Sequence, residues 1–351
     1  MGRWHLSFSY DHMDFLGEHK MNNKTSIFGG ITLIALALIV VMPIILPSVT
    51  LATEILIFAL AALACNLLLG YTGLLSFGQG IFFGGGAYSA SLVMLHLDFG
   101  LFGALITAII AGALLALIVG ALSIRRSGIY FVMLTLAFTQ MAYFLAYTFS
   151  DWTGGDNGLL DVPRPELNFF GLTISELKSS EDFYIFVAAL FSIVFIFARR
   201  VIHSPFGTTL VAIRENENRS SAVGFSTNHF KLIAFVISGA ITGLAGALYA
   251  MLLNFSPLSN IDLVMSENIL IMTIIGGTSS LIGSILGAGA IVLIGDLLSS
   301  IWPRWMMILG IALIAVVLFL PGGLWGGIVS LFAKLSPSKK SKKISATEVI
   351  K

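Results

Sequence analysis

Long apolar segments recur along the chain, and they restrict its possible folds more than any other feature of the sequence. A helix needs about 20 largely apolar residues to cross the hydrocarbon core of a bilayer. The segments near that length are 28–48, 51–70, 78–97, 100–122, 128–148, 183–199, 232–253, 267–280, 282–300 and 305–325. The sequence therefore predicts an all-α, polytopic membrane protein with about 10 transmembrane helices, within a range of 8–10.

The composition also indicates that a bilayer surrounds most of the chain. Of its 351 residues, 57% are hydrophobic and 11% are charged, and the mean hydropathy is +0.96. Soluble globular proteins carry about 25% charged residues. The 19 basic and 18 acidic residues nearly cancel, so nothing indicates binding to nucleic acid. The single cysteine, Cys65, excludes an intrachain disulfide, and its apolar surroundings indicate a packed side chain.

The few charges are sorted among the loops, and this sorting predicts the orientation of the chain. Segment 149–182 carries seven acidic residues and two basic ones. Segments 123–127 and 199–231 and the C-terminal tail are rich in arginine or lysine. Because basic loops stay in the cytoplasm, we expect both termini inside and segment 149–182 outside. Ten spans satisfy all these positions, whereas nine would place the lysine-rich tail outside.

One region is less regular than the other apolar segments. Gly276, Gly277 and Gly283 interrupt the stretch 267–300, which therefore forms either two short spans or a broken helix folded back within the protein. The predicted parts of the whole chain are a cytoplasmic N-terminal extension (1–27), a transmembrane domain (28–327) and a cytoplasmic Lys-rich tail (328–351).

Segment 70–90 is rich in glycine and also contains the polar residues Ser76 and Gln79. The backbone from Gly73 to Gly80 is predicted to be irregular, which a membrane protein tolerates only under protein cover or beside a wet cavity. Gly80 and Gly84 have the four-residue spacing of closely packed helices. Two interpretations stay open, namely helix packing with interhelical hydrogen bonds, and the lining of a translocation path. The candidate path residues are Ser76, Gln79, Gly80, Gly84 and Gln140.

A second glycine-rich segment resembles the first. Residues 283–290 carry Gly, Gly, Gly and Ala at the same spacing as residues 80–87. Paired glycine-interrupted segments are typical of transporters built from two related halves. Small-residue motifs also recur by chance in membrane helices, so an internal repeat of two halves is one of two open interpretations.

The loop 203–231 combines polar and apolar residues in a way that predicts a short helix at the membrane surface. Pro205 and Gly207 mark its start, and Gly224 can end a helix. The loop is either an ordered interfacial segment or a docking helix that fits a groove on a cytoplasmic partner. The phosphate-binding motif G-x-x-x-x-G-K-[ST] does not occur in the sequence. If ATP drives movement through this chain, the nucleotide therefore binds another subunit.

Four ordered sequence blocks together are similar to a known family, and the similarity runs from about residue 50 to 327. The blocks are Gly70-Tyr-Thr-Gly-Leu-Leu-Ser-Phe-Gly-Gln79, Ser127-Gly-Ile-Tyr-Phe-Val-Met-Leu-Thr-Leu-Ala137, Thr153-Gly-Gly-Asp-Asn-Gly-Leu159 and Ala212-Ile-Arg-Glu-Asn-Glu217. They resemble the permease subunit (LivM type) of branched-chain amino acid ABC importers. The resemblance implies a multi-pass permease without enzymatic activity in the plasma or inner membrane of a bacterium or archaeon.

The same resemblance implies partners and site residues. The partners would be a second related permease subunit, two cytoplasmic ATPase subunits and an extracytoplasmic substrate-binding protein. This chain would bind no cofactor, because ATP-Mg binds the partner ATPases. The residues implied to couple to the ATPases are Arg214, Glu215, Asn216, Glu217, Arg219 and Gly224.

The coupling loop departs from the general importer pattern Glu-Ala-Ala-x-x-x-Gly. Glu217 and Gly224 are seven residues apart, but Ser220 and Ser221 stand where small alanines are usual. On the outer face, the turn-rich segment around Gly155 is either simple loop geometry or a contact with the binding protein. The candidate contact residues are Thr153, Gly155, Asp156 and Asn157.

Three other functions were weighed against the sequence. Closely related permeases carry urea or short amides, and their motifs overlap with the present ones. A stand-alone secondary transporter would need a buried set of carboxylates and histidines, which the apolar segments lack. An intramembrane enzyme is disfavoured because neither His-Glu-x-x-His nor G-x-S-x-G occurs.

Overall fold

A computed structural model describes residues 42–335, apart from residues 44, 98–99, 164–166, 170–171, 176–178, 279, 302–306, 309, 312–313, 315, 317, 319 and 321. The chain divides into two compact units, Met1–Leu46 and Pro47–Lys351, and the elements named below belong to the second. The predicted extension 1–27, most of the predicted span 28–48 and residues 336–351 of the predicted tail lie outside the described residues.

The described part is almost entirely helical. The helices are α1 (Val49–Asn66), α2 (Gln79–His96), α3 (Leu101–Ser123), α4 (Ile129–Thr148), α5 (Ser150–Thr153), α6 (Ser180–Ile202), α7 (Pro205–Glu215), α8 (Glu217–Ala222), α9 (Thr227–Leu253), α10 (Leu263–Gly276), α11 (Leu281–Ile301) and α12 (Gly323–Leu335). Helix α1 continues as a π-helix over Leu67–Thr72, named here the π segment. Short 3-10 turns cover Gly155–Asn157 and Leu258–Asn260. One small antiparallel hairpin joins β1 (Leu167–Phe169) to β2 (Leu172–Ser175).

Six helices of the described residues are long and apolar enough to cross a membrane. They are Val49–Thr72, Leu101–Ser123, Ile129–Thr148, Ser180–Ile202, Thr227–Leu253 and Leu281–Ser299. The prediction of an all-α protein with several membrane spans is therefore confirmed. The number of about ten spans stays a prediction, because part of the chain lies outside the described residues. Helix α10 is apolar but has only 14 residues, and the 18-residue helix α2 contains several glycines and polar residues.

The interrupted region forms two separate helices. Helix α10 ends at Gly276, Gly277 has a positive φ of 109°, and helix α11 begins at Leu281. The two helices pack closely, because a Cβ on Gly287 would lie 1.9 Å from the carbonyl oxygen of Met272. The glycines of this region therefore allow two backbones to touch, as small residues do in membrane helix pairs.

Helix α1 is the central element of the fold. Its sequence is apolar around the whole circumference, and such helices are buried on all sides. It packs against α6, α9, α10 and α11, and nearly all its side chains are buried. Because neighbouring helices surround α1, they also determine the position of the π segment at its C-terminal end.

Helices α2, α3 and α9 form a second tightly packed group. Their contact depends on glycines that face one another: a Cβ on Gly86 would lie 2.0 Å from the carbonyl oxygen of Gly243. A Cβ on Gly112 would lie 2.3 Å from the carbonyl oxygen of Gly239. Because no side chain separates the backbones, polar groups at the start of α2 come within hydrogen-bond reach of α9.

Segments 149–182 and 203–231 adjoin opposite ends of α6. The first includes the start of this helix at Ser180, and the second follows its end at Ile202. The first segment is joined to the residues after α9 by an antiparallel bridge, in which Leu159 and Ser256 exchange backbone hydrogen bonds of 3.0 and 2.9 Å. The two loops therefore mark the two ends of the helix bundle.

Candidate functional site

The short helix predicted in loop 203–231 is present, and it is divided into α7 and α8. Ser204 begins α7 by accepting a hydrogen bond from the backbone N–H of Gly207, and Pro205 takes the first helical position, which suits its fixed φ. Asn216 has an extended backbone between the helices, and its Oδ1 accepts from the N–H of Arg219 at 2.9 Å. Gly224 follows α8 with a φ of 102°, which confirms its predicted role in ending the helix.

The inner face of α7 anchors it to the helix bundle. Leu210 is completely buried and Ile213 is 2% exposed. Leu210 belongs to one hydrophobic cluster with Leu68 of the π segment and Leu74 just after it. Helix α7 is therefore packed directly against the end of α1.

Arg214 and Glu217, two of the predicted coupling residues, make contacts within this chain. The Nη1 of Arg214 donates a hydrogen bond to the carbonyl oxygen of Gly70 in the π segment. The Oε1 of Glu217 accepts from the Nζ of Lys231 at 2.5 Å, and the lysine side chain is only 7% exposed. Since a buried ammonium group needs a partner, Glu217 holds α8 against the N-terminal part of α9.

Residues 215–225 of this loop expose both charged and apolar groups. Glu215, Arg219 and Gly224 are exposed, as are Asn216 and the side chain of Arg214 in spite of its bond to Gly70. Val223 (73%) and Phe225 (42%) are exposed as well. Apolar side chains open to solvent beside charged ones are typical of a surface that binds a partner.

Aromatic packing fixes the direction of the exposed Phe225. Its ring meets that of Phe230 edge-on at 6.0 Å between centroids, and Phe230 stacks on Phe206 at 5.6 Å. The exposed surface formed by Glu215, Arg219, Val223, Gly224 and Phe225 is named here the docking tip.

Gln79, a predicted path residue, lies fully buried where α1, α2 and α9 meet. Its Nε2 donates to the Oγ of Ser238 at 3.2 Å, and its Oε1 accepts from the Oγ1 of Thr242 at 2.8 Å. Ser238 in turn donates to the carbonyl oxygen of Ala64 in α1 at 2.7 Å. This polar bridge links three helices, and all of its hydrogen bonds lie inside the bundle.

The irregular stretch before Gln79 agrees with the prediction, since α2 begins only at residue 79. Ser76 is buried, and its Oγ accepts from the N–H of Gly78 at 3.1 Å. Helix α4 supports the same stretch, because the Oγ1 of Thr135 accepts a hydrogen bond from the N–H of Phe77 at 3.2 Å. The Oγ1 of Thr139 donates to the carbonyl oxygen of Phe77 at 2.8 Å.

The remaining predicted path residues lie in different environments. The N–H of Gly80 donates to the Oγ of Ser266 in α10 at 2.8 Å. A Cβ on Gly84 would lie 2.1 Å from the Cγ1 of Ile261, so this glycine allows a close approach. Gln140 is exposed on α4, whose side chains are largely exposed. Gln140 and the buried Gln79 therefore lie in different environments, and the path itself stays a prediction.

The predicted outer-face residues form a folded turn. The Oγ1 of Thr153 donates to the carbonyl oxygens of Ala146 and Phe149 at 2.5 and 2.9 Å. Gly155 is buried with a positive φ of 58°, whereas Asp156 and Asn157 are exposed. The turn therefore explains Thr153 and Gly155 by local geometry and leaves two polar side chains on the surface.

The described residues contain no group of three or more His, Cys, Asp or Glu side chains that could hold a metal ion. The site consists instead of a partly exposed helical segment, joined by one hydrogen bond to the π segment and by an ion pair to α9. Several of its members were missed by reasoning from the sequence, namely Gly70, Phe225, Lys231, Ser238 and Thr242. Only Phe225 had a readable signal, as an apolar residue in a polar loop.

Comparisons with known proteins identify the family. Residues 48–318 match the family described as the permease component of branched-chain amino acid transport systems. The high-affinity branched-chain amino acid transport system permease protein LivM of Salmonella typhimurium is 29% identical over 297 residues, which cover 79% of this chain and 69% of that protein.

Two further relatives match a smaller part of this chain. The probable branched-chain amino acid transport permease protein LivM of Methanocaldococcus jannaschii is 26% identical over 243 residues, or 63% of this chain and 68% of the relative. The autoinducer 2 import system permease protein LsrC of Photorhabdus laumondii is 30% identical over 124 residues, or 33% of this chain and 37% of the relative. No solved structure matches the chain. The chain is thus a multi-pass membrane protein and belongs to the family of branched-chain amino acid transport permeases.

Proposed function

We propose that this chain is the permease subunit of an ATP-driven importer of branched-chain amino acids. Leucine, isoleucine and valine would be the substrates, and the bacterial or archaeal plasma or inner membrane would be its location. The family match over residues 48–318 supports this proposal. ATP and Mg²⁺ would bind the partner ATPases, and this chain would form one half of the translocation path.

The docking tip is the observation that carries the ATP-driven mechanism. Val223 and Phe225 are exposed at the end of a loop whose inner face is firmly packed. The apolar side chains would enter a groove on a cytoplasmic ATPase subunit, and Glu215 and Arg219 would fix the register of that contact. A rigid loop with an exposed apolar end can pass a movement of its partner on to the helix bundle.

Two further surfaces suit the remaining partners. The exposed face of α4, which includes Gln140, would meet a second related permease subunit, with the path between the two. The exposed side chains of Asp156 and Asn157, at the other end of the bundle from the docking tip, would contact the substrate-binding protein.

Reconstitution in proteoliposomes tests the proposal. The chain would be purified with a sister permease, two ATPase subunits and a binding protein, and the ATP-dependent uptake of radiolabelled leucine would be measured. We expect uptake that requires both ATP and the binding protein, and unlabelled isoleucine and valine should compete. Competition by urea or acetamide instead would favour the alternative of a urea or short-amide permease. Uptake driven by an ion gradient, without the ATPases, would show a secondary transporter.

A further inference from the structure

At the end of the π segment, a backbone carbonyl accepts a hydrogen bond from a side chain of another helix. The last carbonyls of a helix have no acceptor role within it, and α1 with its π segment stops at Thr72. The N–H of Gly73 still donates to the carbonyl of Leu68, five residues back, and the Oγ1 of Thr72 donates to that of Leu67 at 2.9 Å. The carbonyl of Gly70 accepts from the guanidinium of Arg214 instead. A cation at a helix C-terminus is also favoured by the helix dipole.

Gly73, which directly follows the π segment, lies against the stem of Arg214. Gly73 has a φ of 75°, and a Cβ built there would lie 2.8 Å from the Cγ of Arg214. A side chain at residue 73 would therefore strain the backbone and displace the arginine. The contact between α7 and the end of α1 therefore depends on both Arg214 and Gly73.

The opposite side of the π segment contacts the turn between α10 and α11. The Nδ2 of Asn66 donates to the carbonyl oxygen of Ser280 at 2.9 Å and to the Oγ of Ser284 at 3.0 Å. A Cβ on Gly70 would lie 2.1 Å from the Oδ1 of Asn66 and 2.2 Å from the carbonyl oxygen of Thr278. The buried Oδ1 of Asn66 has no partner among the described residues. Gly70 is therefore enclosed between Arg214 and the glycine-rich region 276–287.

The chain continues from this contact directly to the polar bridge. Five residues separate Gly73 from Gln79, whose amide links α2 to α9. A displacement of the π segment would thus reach the start of α2 through a short stretch of backbone. π-helical turns within α-helices are frequent at functional sites, and this one lies between the coupling loop and both glycine-rich segments.

We infer that Arg214 is a positioning residue that connects α7 to the end of α1 and does not itself bind the ATPase. When an ATPase moves α7, Arg214 would carry Gly70 and Gly73 with it and so shift the start of α2. This inference rests on the proposed function. Its distinctive consequence is that loss of Arg214 separates ATP hydrolysis from transport while the ATPase stays bound.

The experiment uses the complete reconstituted complex with Arg214→Gln, Arg214→Lys and, as a control, Arg126→Gln, an exposed arginine in the link before α4. Three quantities are measured: ATPase subunits that co-purify, ATP hydrolysis, and leucine uptake. For Arg214→Gln we expect normal co-purification and uptake per ATP lower by about twofold to thirtyfold, the range for residues within a coupling network. Arg214→Lys should recover part of the loss, and Arg126→Gln should match the wild type.

Gly73→Ala places a methyl group against the Cγ of Arg214 and so displaces the arginine side chain without changing the arginine itself. This variant keeps the test valid if Arg214→Gln does not fold. It should lower uptake per ATP in the same way, and the double variant should be no worse than either single one. Loss of ATPase co-purification, unchanged uptake per ATP or additive losses would each overturn the inference. A wild-type complex that assembles but imports no branched-chain amino acid would instead overturn the proposed function, so the two failures are distinguishable.

Discussion

Two glutamines in this chain occupy opposite environments, although both come from apolar stretches of the sequence. Gln79 is fully buried, and both ends of its amide are bonded within the bundle. Gln140 is exposed on α4. A buried amide with satisfied hydrogen bonds stabilises one arrangement of helices, whereas an exposed amide in a membrane span needs a polar neighbour from outside the chain.

Gln79→Ala should therefore lower the stability of the purified chain in detergent. Ser238 and Thr242 would lose their buried partner, and an unsatisfied buried group costs about 1–3 kcal/mol. Gln140→Ala is the matched control, since exposed substitutions usually change stability by about 0.5 kcal/mol or less. Thermal unfolding followed by tryptophan fluorescence checks both, and equal losses in the two variants would contradict the assignment of Gln79 to a structural bridge.

The closeness of α2 to the turn before α10 gives a second prediction at the scale of a residue. In Gly84→Ala the new Cβ would lie 2.1 Å from the Cγ1 and 2.8 Å from the backbone N of Ile261. Because backbone must shift, we expect a loss of about 1–3 kcal/mol in thermal unfolding. Gly100→Ala has no heavy atom within 4 Å of its new Cβ and should unfold like the wild type. A stable Gly84→Ala variant would show that α2 and the turn before α10 are not in close contact.

At the scale of elements, the pair of Glu217 and Lys231 determines how α8 lies against α9. Removing the carboxylate with Glu217→Gln should cost about 1–3 kcal/mol, nearer the lower value because that carboxylate is 37% exposed and partly screened. Charge reversal, Glu217→Lys, should cost more and lower uptake per ATP. The swapped variant, Glu217→Lys with Lys231→Glu, should recover both properties in part.

Glu215→Lys is the control for this pair, since Glu215 is exposed at the end of α7. Its thermal unfolding should not change, whatever its effect on docking. If the swapped variant were no better than Glu217→Lys alone, the ion pair would not be what holds α8 in place.

The docking tip and the inner face of α7 should respond differently to substitution. Val223→Asp and Phe225→Asp place charges on an exposed surface, so the chain should fold normally but lose its ATPase subunits on purification. Leu210→Ala empties a fully buried position and should cost about 2–5 kcal/mol. Co-purification and thermal unfolding, measured on the same samples, separate the two effects. Normal ATPase binding by Val223→Asp and Phe225→Asp would place the docking surface elsewhere.

At the scale of the whole molecule, helices were easier to predict than the contacts between them. Apolar length alone predicted segments 51–70 and 128–148, because the bilayer sets the length of a spanning helix. The sequence left open whether 267–300 forms two short spans or a broken helix folded back, since the conformational freedom of a glycine such as Gly277 is compatible with both. The partners of Gln79 lie 159 and 163 residues away in sequence, and no local pattern predicts such a contact.

The coupling loop shows the same limit. Its helical nature and its end at Gly224 followed from local residue preferences. Arg214 and Glu217 looked alike in the sequence as charges on a polar loop, yet the structure gives them partners inside the chain, at Gly70 and Lys231. Those partners lie on other helices, so no local pattern of the sequence predicts them, and Arg214 keeps an exposed side chain in spite of its hydrogen bond to Gly70.

The complete transporter should cover the exposed face of α4 with a second subunit. This face carries Gln140, and an amide without a hydrogen bond in an apolar medium costs about 2–7 kcal/mol. Lipid would therefore be a poor neighbour, whereas a water-filled path between two permeases would satisfy the amide. Ile193 on α6 is 68% exposed and apolar, so it suits lipid and serves as a comparison.

Cysteine labelling of the reconstituted complex tests this arrangement. Cys65, the single native cysteine of this chain, is buried, so variants in a background without other reactive thiols would report on one position each. A charged maleimide should label Gln140→Cys, because the thiolate forms and reacts in water, and should leave Ile193→Cys unlabelled in lipid. Substrate-loaded binding protein with ATP should change the labelling rate of Gln140→Cys as the path opens and closes. Equal labelling of both positions, or none at Gln140→Cys, would exclude the exposed face of α4 from the path.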